Sequence, residues 1–257
     1  MAFFECHFFS EVLGLSVSAN VLLPQEAPGE SRGHHPALYL LHGLSDDHTM
    51  WMRRTAIERY ATARSLAVVM PAAARSFYQD MASGPRYWTF LSEELPALMR
   101  RFFPLSSARE DNFVAGLSMG GYGALRLGLA RPECFAAAAS FSGALDYVRR
   151  LRDAGRTGSR ISRAEWDGIA GEGADAAGGD SDLWHLARRV ASGTGPKPAI
   201  YLSCGTEDEL IADSRAFHGH LAGIDYGHFY EEGPGMHDWA YWDDQVGRAI
   251  RWLPMRP

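Results

Sequence analysis

The sequence contains little cysteine. Only three cysteines, Cys6, Cys134 and Cys204, occur in 257 residues, and they are far apart in the chain. An odd number of distant cysteines is more typical of buried free thiols in a reducing compartment than of a disulfide framework. We therefore expect a cytoplasmic protein whose three cysteines are buried and unpaired.

Long apolar runs and an excess of positive charge are also absent. No uninterrupted apolar segment approaches the ~20 residues of a membrane span, and residues 1–7 lack the basic and apolar regions of a signal peptide. Acidic residues outnumber Lys and Arg by 31 to 25, and the formal net charge is −6. This balance argues against nucleic acid or an anionic membrane surface as a partner.

What the sequence does have is enough apolar material for a large core. Hydrophobic residues make up 46% of the chain and charged residues 22%, a composition that excludes a disordered protein. The length of 257 residues and the lack of an internal repeat predict a single α/β domain over residues 1–257. The sequence leaves open whether the protein forms a homo-oligomer.

Predicted strands alternate with predicted helices along the chain. Apolar runs predict strands at residues 3–10, 15–23, 37–41, 66–70, 112–115, 136–141, 199–204 and 225–232. Helices are expected at residues 49–63, 85–103 with a break or kink at Pro96, 121–130, 212–223 and 238–253. This order predicts a mostly parallel eight-stranded sheet with an antiparallel leading hairpin and helices on both faces.

One pentapeptide, Gly116-Leu117-Ser118-Met119-Gly120, joins a predicted strand to a predicted helix. A strand, a sharp G-x-S-x-G turn and a helix form the nucleophile elbow of the α/β-hydrolase fold. The turn holds the serine in strained backbone angles, so the neighbouring positions must be small. We expect the Ser118 hydroxyl to project at the carboxyl edge of the sheet as a nucleophile.

An elbow serine requires an orienting acid and a base, which follow it in that order along the chain. Asp208 is the predicted acid because it lies in a loop directly after the strand at 199–204. Glu207 and Glu209 are alternatives, and Asp213 is less well placed on the following helix.

His237 is the predicted base because it follows the last predicted strand in the loop Gly233-Pro234-Gly235-Met236-His237. Its neutral imidazole would take the serine proton, and the acid would hold the imidazole tautomer. The remaining candidate histidines lack this context; they are His7, His185, His218, His220 and His228.

Two backbone N–H groups are expected to form an oxyanion hole. One is that of Met119, at the start of the helix, and the other is that of Leu44, in the loop after the third strand. A competing metal-site interpretation involves residues of the same loop, namely His42, Asp46, Asp47 and His48. We favour the oxyanion hole and predict that the reaction requires no metal and no cofactor.

Residues 149–196 differ from the rest of the chain because they are rich in glycine and polar residues. We interpret them as an irregular, lid-like insertion over the site, with short helices around Trp166 and Trp184. Aromatic residues near predicted loops are candidates for lining a substrate pocket; they are Trp51, Phe77, Tyr78, Trp88 and Trp184.

Several segments together resemble a known family. They are residues 40–45, 75–78, 93–96, 116–124, 141–143, 204–208 and 237–239. These segments closely resemble the tributyrin esterase family, a branch of the esterase D and S-formylglutathione hydrolase group of α/β-hydrolases. The resemblance implies a carboxylesterase for short acyl chains, with Ser118, Asp208 and His237 as the triad and Leu44 and Met119 as the oxyanion hole. Residues 70–74 and the insertion depart from the family pattern, so substrate preference does not follow from it.

The leading hypothesis is therefore a serine carboxylesterase that hydrolyses short-chain acyl esters of small molecules through an acyl-enzyme. The same catalytic groups would cleave the thioester S-formylglutathione. They would also serve a deacetylase or feruloyl-type esterase acting on small carbohydrate esters. A non-catalytic alternative is a hydrolase-fold ligand receptor, since a fold alone does not determine function.

Overall fold

The fold is built on one eight-stranded sheet. A computed structural model describes residues 1–25, 33–155 and 160–256. Along the chain the strands are β1 (Ala2–Ser10), β2 (Leu15–Leu23), β3 (Ala37–Leu41), β4 (Ala67–Pro71), β5 (Asn112–Leu117), β6 (Ala137–Phe141), β7 (Ala199–Gly205) and β8 (His228–Gly233). Their spatial order is β1-β2-β4-β3-β5-β6-β7-β8. All eight strands predicted from the sequence are confirmed, with small shifts at their ends.

Strand directions follow the predicted pattern. The β1–β2 hairpin is antiparallel in register from Ala2↔Leu23 to Ser10↔Leu15, and β2 pairs antiparallel with β4. Every other neighbouring pair in the sheet is parallel. The carboxyl ends of six strands therefore meet at one edge of the sheet, where an α/β fold binds its ligands.

Helices cover both faces of the sheet. They are α1 (Met50–Arg54), α2 (Ile57–Thr62), α3 (Tyr87–Thr89), α4 (Leu95–Phe102), α5 (Met119–Ala130), α6 (Tyr147–Arg152), α7 (Arg163–Ala170), α8 (Leu183–Ser192), α9 (Ile211–Gly223) and α10 (Trp239–Trp252). Alternate residues of β3 enter opposite cores, because successive strand side chains point to opposite faces: Tyr39 joins one cluster and Leu40 the other. Helices α1, α2 and α10 pack on one face, and α4, α5, α8 and α9 pack on the other.

Two helix predictions need correction. The single helix expected at 49–63 is divided into α1 and α2, because Thr55 is extended and the Ala56 N–H donates to Asp243 Oδ1 at 2.8 Å instead of continuing the helix. Around Pro96 the chain stays helical, but a π-helical turn, Phe90–Glu94, precedes α4. This wider turn accommodates a proline, which has no N–H to donate.

The prediction that all three cysteines are buried is also wrong. Cys204 is buried, Cys6 is half-buried and Cys134 is exposed, although all three are free thiols.

Among the described residues, no helix is both long and apolar enough to cross a membrane.

The insertion contains the two short helices expected around Trp166 and Trp184, which are α7 and α8. Polar contacts attach it to α5: the Tyr122 hydroxyl donates to the Ser181 carbonyl at 2.8 Å, and buried Arg126 donates to the Asp180 carbonyl at 2.9 Å. Residues 156–159 of this glycine-rich insertion lie outside the described residues. The described part of the insertion is therefore anchored to the helix that begins at the elbow.

Candidate active site

The elbow serine lies between the end of β5 and the start of α5. Ser118 has φ 52° and ψ −117°, a strained conformation for a residue that carries a side chain. A Cβ atom at Gly116 would overlap the carbonyl group of Gly120, so the turn requires glycine at this close approach. The Ser118 N–H donates to the Phe141 carbonyl at 2.9 Å, and this bond ties the elbow to the end of β6.

Three side chains predicted from distant parts of the sequence meet at the carboxyl edge of the sheet. His237 Nε2 lies 3.0 Å from Ser118 Oγ. On the other side of the imidazole ring, His237 Nδ1 lies 2.9 Å from Asp208 Oδ2 and 3.1 Å from Oδ1. The chain of contacts therefore runs serine, histidine, aspartate, in the geometry that proton transfer from a nucleophilic hydroxyl requires.

Asp208 is buried, with only 3% of the residue exposed, and its carboxylate oxygens accept several hydrogen bonds. Burial acts to raise the pKa of this carboxyl group, but hydrogen bonds from His237, Ser142 and the Leu210 N–H outweigh it and hold the pKa below its ordinary value. The Leu210 N–H donates to Asp208 Oδ1 at 2.8 Å. The carboxylate is therefore ionised at neutral pH and able to orient the imidazole.

The loops that carry Asp208 and His237 contact each other directly. A Cβ atom at Gly205 would overlap the carbonyl of Gly235, so the two loops pack backbone against backbone. Glu207 Oε2 accepts a hydrogen bond from the Gly235 N–H at 2.7 Å. Glu207, one of the alternatives for the acid, thus supports the loop of the histidine instead of contacting the imidazole.

The other acidic candidates also point elsewhere. Glu209 pairs with Arg160 at 2.6 Å. Asp213 is buried and accepts hydrogen bonds from Arg149 and Arg150. Of the carboxylates considered from the sequence, Asp208 is the one that contacts His237.

The loop after β3 is held by its own side chains. His42 is fully buried; its Nδ1 lies 2.7 Å from the Gly43 carbonyl, and its Nε2 accepts from the Ala73 N–H at 2.9 Å. Burial lowers the pKa of His42, which keeps the ring neutral. Asp46 Oδ2 accepts from the Gly43 N–H at 3.1 Å. With both ring nitrogens of His42 engaged, the competing metal-site interpretation loses its central ligand.

Leu44 and Met119 both line the cavity that contains Ser118 and His237. In the described part of the chain, neither N–H is used in a turn or loop hydrogen bond. Met119 is the first residue of α5, where a helix leaves its N–H groups unsatisfied. Both N–H groups therefore remain candidates for the predicted oxyanion hole.

The cavity has a volume of about 470 Å³. Its apolar lining comes from both sides of the elbow and from the insertion; the residues are Leu44, Phe77, Met119, Ala144, Ile161, Trp166, Leu210 and Ala212. Charged side chains also line it; they are Arg149, Arg150, Asp153, Arg160, Glu209 and Asp213. The cavity lining thus combines apolar surface with charged side chains, among which acids and arginines are equal in number.

Of the five aromatic residues predicted to line a pocket, the structure brings Phe77 to the cavity. Trp51 is buried in the core on the opposite face of the sheet, where its Nε1 donates to the Leu41 carbonyl at 3.1 Å. Tyr78 is also buried, and its hydroxyl donates to the His42 carbonyl at 2.7 Å. Trp88 lies 3.8 Å beneath the guanidinium of Arg126, and Trp184 packs on Phe217. None of these four side chains lines the cavity, so for them the predicted role in a pocket is not supported.

Sequence reasoning missed three residues of the site. Trp166 lines the cavity and packs at 5.0 Å against Phe77. Ser142 accepts from Trp242 Nε1 at 3.1 Å and also contacts Asp208. Aromatic content in the insertion was a signal for Trp166, and the family-like segment 141–143 was a signal for Ser142, whereas no local pattern marks Trp242.

The fold and the hydrogen-bonded serine, histidine and aspartate define the class: an α/β-hydrolase with the site of a serine hydrolase. The family model described as "Putative esterase" matches residues 10–253, and the chain belongs to that family. It is a carboxylic ester hydrolase.

Relatives with known names agree with this classification. The chain is 30% identical to an acetyl esterase from Caldicellulosiruptor saccharolyticus, over 98% of both chains. It is similar in structure to the fluorophosphonate-binding serine hydrolase FphF of Staphylococcus aureus, with a TM-score of 0.90, 34% identity and 99% of each chain covered. It is also similar to the S-formylglutathione hydrolase FrmB of Staphylococcus aureus, with a TM-score of 0.87, 33% identity and 98% of each chain covered. The predicted esterase D and S-formylglutathione hydrolase group is confirmed, whereas the tributyrin branch stays a prediction.

Proposed function

We propose that the protein hydrolyses short-chain acyl esters of small molecules, with Ser118 as nucleophile, His237 as general base and Asp208 as orienting acid. The observation that carries the proposal is the unbroken contact chain from Ser118 Oγ through His237 to the buried Asp208 carboxylate. No other histidine among the described residues contacts the elbow serine.

In the first half of the reaction, Ser118 Oγ attacks the acyl carbonyl while His237 Nε2 takes the hydroxyl proton. The backbone N–H groups of Leu44 and Met119 would stabilise the resulting oxyanion. Losing one such donor costs about 10²–10³ in kcat in other enzymes. The tetrahedral species then collapses, His237 returns the proton to the leaving alkoxide, and the alcohol departs from the acyl-enzyme.

In the second half, a water molecule replaces the alcohol. His237 takes a proton from this water, the resulting hydroxide adds to the acyl carbonyl, and the ester bond to Ser118 breaks. The proton returns to Ser118 Oγ, and the carboxylic acid is released. Asp208 stabilises the imidazolium in both halves without itself being protonated, consistent with its lowered pKa.

The preference for short acyl chains rests on the apolar wall of the cavity. Phe77 and Trp166 pack against each other with ring centroids 5.0 Å apart, and both line the cavity that contains Ser118, where their bulk would restrict a long acyl chain. The acetyl esterase from Caldicellulosiruptor saccharolyticus, which is similar over its whole length, supports the same preference.

The test is the turnover of p-nitrophenyl acetate, butyrate and octanoate by the purified protein and by Ser118→Ala. We expect acetate and butyrate to be preferred, and we expect the variant to lose on the order of 10⁶ in kcat. Ser192→Ala, at the exposed end of α8, is the matched control and should keep full activity. Undiminished turnover by Ser118→Ala would show that the proposed nucleophile is wrong.

The second candidate is thioester hydrolysis, favoured by the similarity to a structure described as an S-formylglutathione hydrolase. Glutathione carries carboxylates, but the arginines at the cavity rim are already engaged: Arg160 pairs with Glu209, and Arg149 and Arg150 pair with Asp213. We therefore place the ester first. A higher kcat/KM for S-formylglutathione than for every ester in a panel, including acetylated sugars and a feruloyl ester, would reverse this order.

We also propose that the enzyme acts in the cytoplasm on small molecules, not on nucleic acid or a membrane surface. Three free thiols and a net charge of −6 support this proposal. Immunoblotting of soluble, membrane and extracellular fractions tests it, and recovery of the protein outside the soluble intracellular fraction would contradict it.

A further inference from the structure

Two consecutive aromatic residues of the loop after β4 have backbone angles that favour glycine. Phe77 has φ 51° and Tyr78 has φ 55°. Both are buried, and Phe77 lines the cavity that contains Ser118. A bulky residue keeps such a strained conformation only where its surroundings fix it, and strained residues of this kind cluster at functional sites. The contacts that fix Phe77 and Tyr78 are therefore of interest for the site.

A buried side chain donates to the carbonyl of each strained residue. Gln79 Nε2 donates to the Phe77 carbonyl at 3.2 Å, and Arg126 Nη1 donates to the Tyr78 carbonyl at 2.6 Å. Gln79 and Arg126 are 6% and 5% exposed, and neither lines the cavity. The backbone of the strained pair is thus held from behind the cavity wall.

The side chain of Gln79 belongs to a closed triangle of hydrogen bonds. Its Nε2 donates to the Tyr122 hydroxyl at 2.9 Å, and its Oε1 accepts from Ser181 Oγ at 2.9 Å. The Tyr122 hydroxyl in turn donates to the Ser181 carbonyl at 2.8 Å. The triangle joins the loop after β4, helix α5 and the insertion. A buried polar network whose members all have partners rigidifies the elements that it connects.

The ring of Phe77 is enclosed by other aromatic rings. Its centroid lies 5.0 Å from that of Trp166, 5.3 Å from that of Tyr122 and 5.6 Å from that of Tyr147. Tyr122 therefore contacts the ring of Phe77 and also belongs to the triangle that holds its backbone. Because ring and backbone share this support, Phe77 cannot leave the cavity wall while the triangle is intact.

We propose that Gln79 and Arg126 are positioning residues that hold Phe77 in the cavity wall and thereby set the length of acyl chain that the enzyme accepts. The proposal rests on the proposed function in one respect, that the acyl group occupies the cavity beside Ser118. Neither residue touches the substrate. Loss of either donor lets the strained segment relax and the ring of Phe77 withdraw, which makes room for a longer chain.

The first experiment replaces Gln79 with methionine, which has a similar length and volume but no amide. Gln79→Met should lower the Tm and raise the octanoate-to-acetate ratio of kcat/KM about threefold, through a lower KM for octanoate. Arg126→Met should shift the ratio in the same direction.

The control for general destabilisation is Asn112→Leu. Asn112 is also buried, and its Nδ2 donates to the Ser106 and Ala108 carbonyls at 2.9 and 2.7 Å, at the end of β5 away from Ser118. This variant should lower the Tm without shifting the ratio. A fall in Tm without a shift in Gln79→Met, or an equal shift in Asn112→Leu, would overturn the proposal.

The second experiment asks whether Gln79 acts through Phe77. Phe77→Ala removes the ring and should raise the octanoate-to-acetate ratio about tenfold. Adding Gln79→Met or Arg126→Met to Phe77→Ala should then raise the ratio no further, because residues that act through one contact are not additive. Effects on the ratio that multiply in the double variants would contradict the proposal.

A milder variant keeps the test open if Gln79→Met does not fold. Ser181→Ala removes one hydrogen bond from the Gln79 amide and should raise the ratio about twofold. Its matched control is Ser192→Ala, which removes the bond from an exposed serine of α8 to the Arg188 carbonyl and should leave the ratio unchanged. An unchanged ratio in Ser181→Ala, or equal shifts in both variants, would count against the network.

The last experiment separates this proposal from the proposed function. Methyl and octyl p-nitrophenyl phosphonates label a reactive serine without any deacylation step, and mass spectrometry measures the rate of labelling at Ser118. The octyl-to-methyl ratio of these rates should rise in Gln79→Met as it does in Phe77→Ala. That result, in an enzyme that does not turn over acetate or butyrate esters, would support the positioning role while the proposed function fails. Turnover of short esters with an unchanged labelling ratio in Gln79→Met would overturn the positioning role alone.

Discussion

The strand-end loops that hold the serine, histidine and aspartate differ in construction from the insertion, whose residues Arg160, Ile161 and Trp166 line the cavity beside them. Asp208 is buried and tied to the backbone through Leu210, and Ser118 is tied to Phe141. On the insertion side, Arg160 and Glu209 form an ion pair whose side chains are 66% and 55% exposed. One region is fixed by the sheet, and the other is joined to it in part by solvated charges.

This difference suggests that the strand-end loops determine the rate of turnover and the insertion determines substrate preference. Buried polar groups that lose a partner cost several kcal/mol, whereas an exposed ion pair contributes about 0–1 kcal/mol. We therefore expect substitutions among the strand-end loops to abolish turnover and substitutions in the insertion to alter which substrates are used.

The first prediction concerns the orienting acid. Asp208→Asn should leave the fold intact but lower kcat by about 10⁴, because an amide does not hold the imidazole in the reactive tautomer. Steady-state hydrolysis of p-nitrophenyl acetate measures the effect. Glu209→Gln, the adjacent solvated carboxylate, is the matched control and should change kcat little. Equal losses in the two variants would remove the distinction between the two regions.

The second prediction concerns the cavity wall. Trp166→Ala should destabilise the protein by about 3–5 kcal/mol and raise the octanoate-to-acetate ratio of kcat/KM about tenfold, because the acyl site deepens. Trp184→Ala also removes a packed tryptophan, but one that contacts Phe217 outside the cavity. It should lower stability without shifting acyl preference. A shift in both variants would indicate a general loosening of the insertion.

The third prediction uses the lowered pKa of Asp208. In the folded state hydrogen bonds hold this pKa below the ordinary aspartate value of about 3.9. The carboxylate therefore contributes stability that is present above pH 4 and is lost as the pH falls through the folded pKa. The difference in Tm between wild type and Asp208→Asn should accordingly narrow below about pH 4. A difference that widens with acid would show that the carboxyl group is not stabilised in its ionised form.

The fourth prediction concerns the surface of the insertion. Arg160→Ala should change the free energy of unfolding by less than about 1 kcal/mol, because its partner Glu209 is solvated. Urea denaturation measures this value, and added salt should reduce the difference further. A cost of several kcal/mol would mean that this ion pair is a structural attachment of the insertion.

The succession of strands along the chain could be predicted from the sequence, because apolar runs and glycine-containing turns mark each strand locally. Ser118, Asp208 and His237 were found because each lies just after a recognisable strand, and strand ends of a parallel sheet converge. The aromatic lining was not predictable in the same way. Trp51 and Phe77 both lie near loops, and only tertiary packing decides that one is buried behind the sheet while the other faces the serine.

The predicted boundaries of the helix at 49–63 were wrong for a related reason. The break at Thr55 depends on Asp243, which is distant in sequence and caps Ala56 from α10. The helix propensities of residues 49–63 do not depend on Asp243 and so do not predict this break. Long-range hydrogen bonds therefore override local preference at the same places where sequence-based interpretation was least accurate.

The backbone contact between Gly205 and Gly235 has a mechanical consequence. Because the two loops touch without intervening side chains, and because Glu207 bonds to Gly235, a displacement of one loop carries the other with it. Thermal motion should then leave the separation of Asp208 and His237 nearly constant and be taken up between His237 and Ser118. The imidazole of His237 would then keep its orientation relative to Asp208 while it moves. Only the distance between His237 Nε2 and Ser118 Oγ would have to shorten before proton transfer.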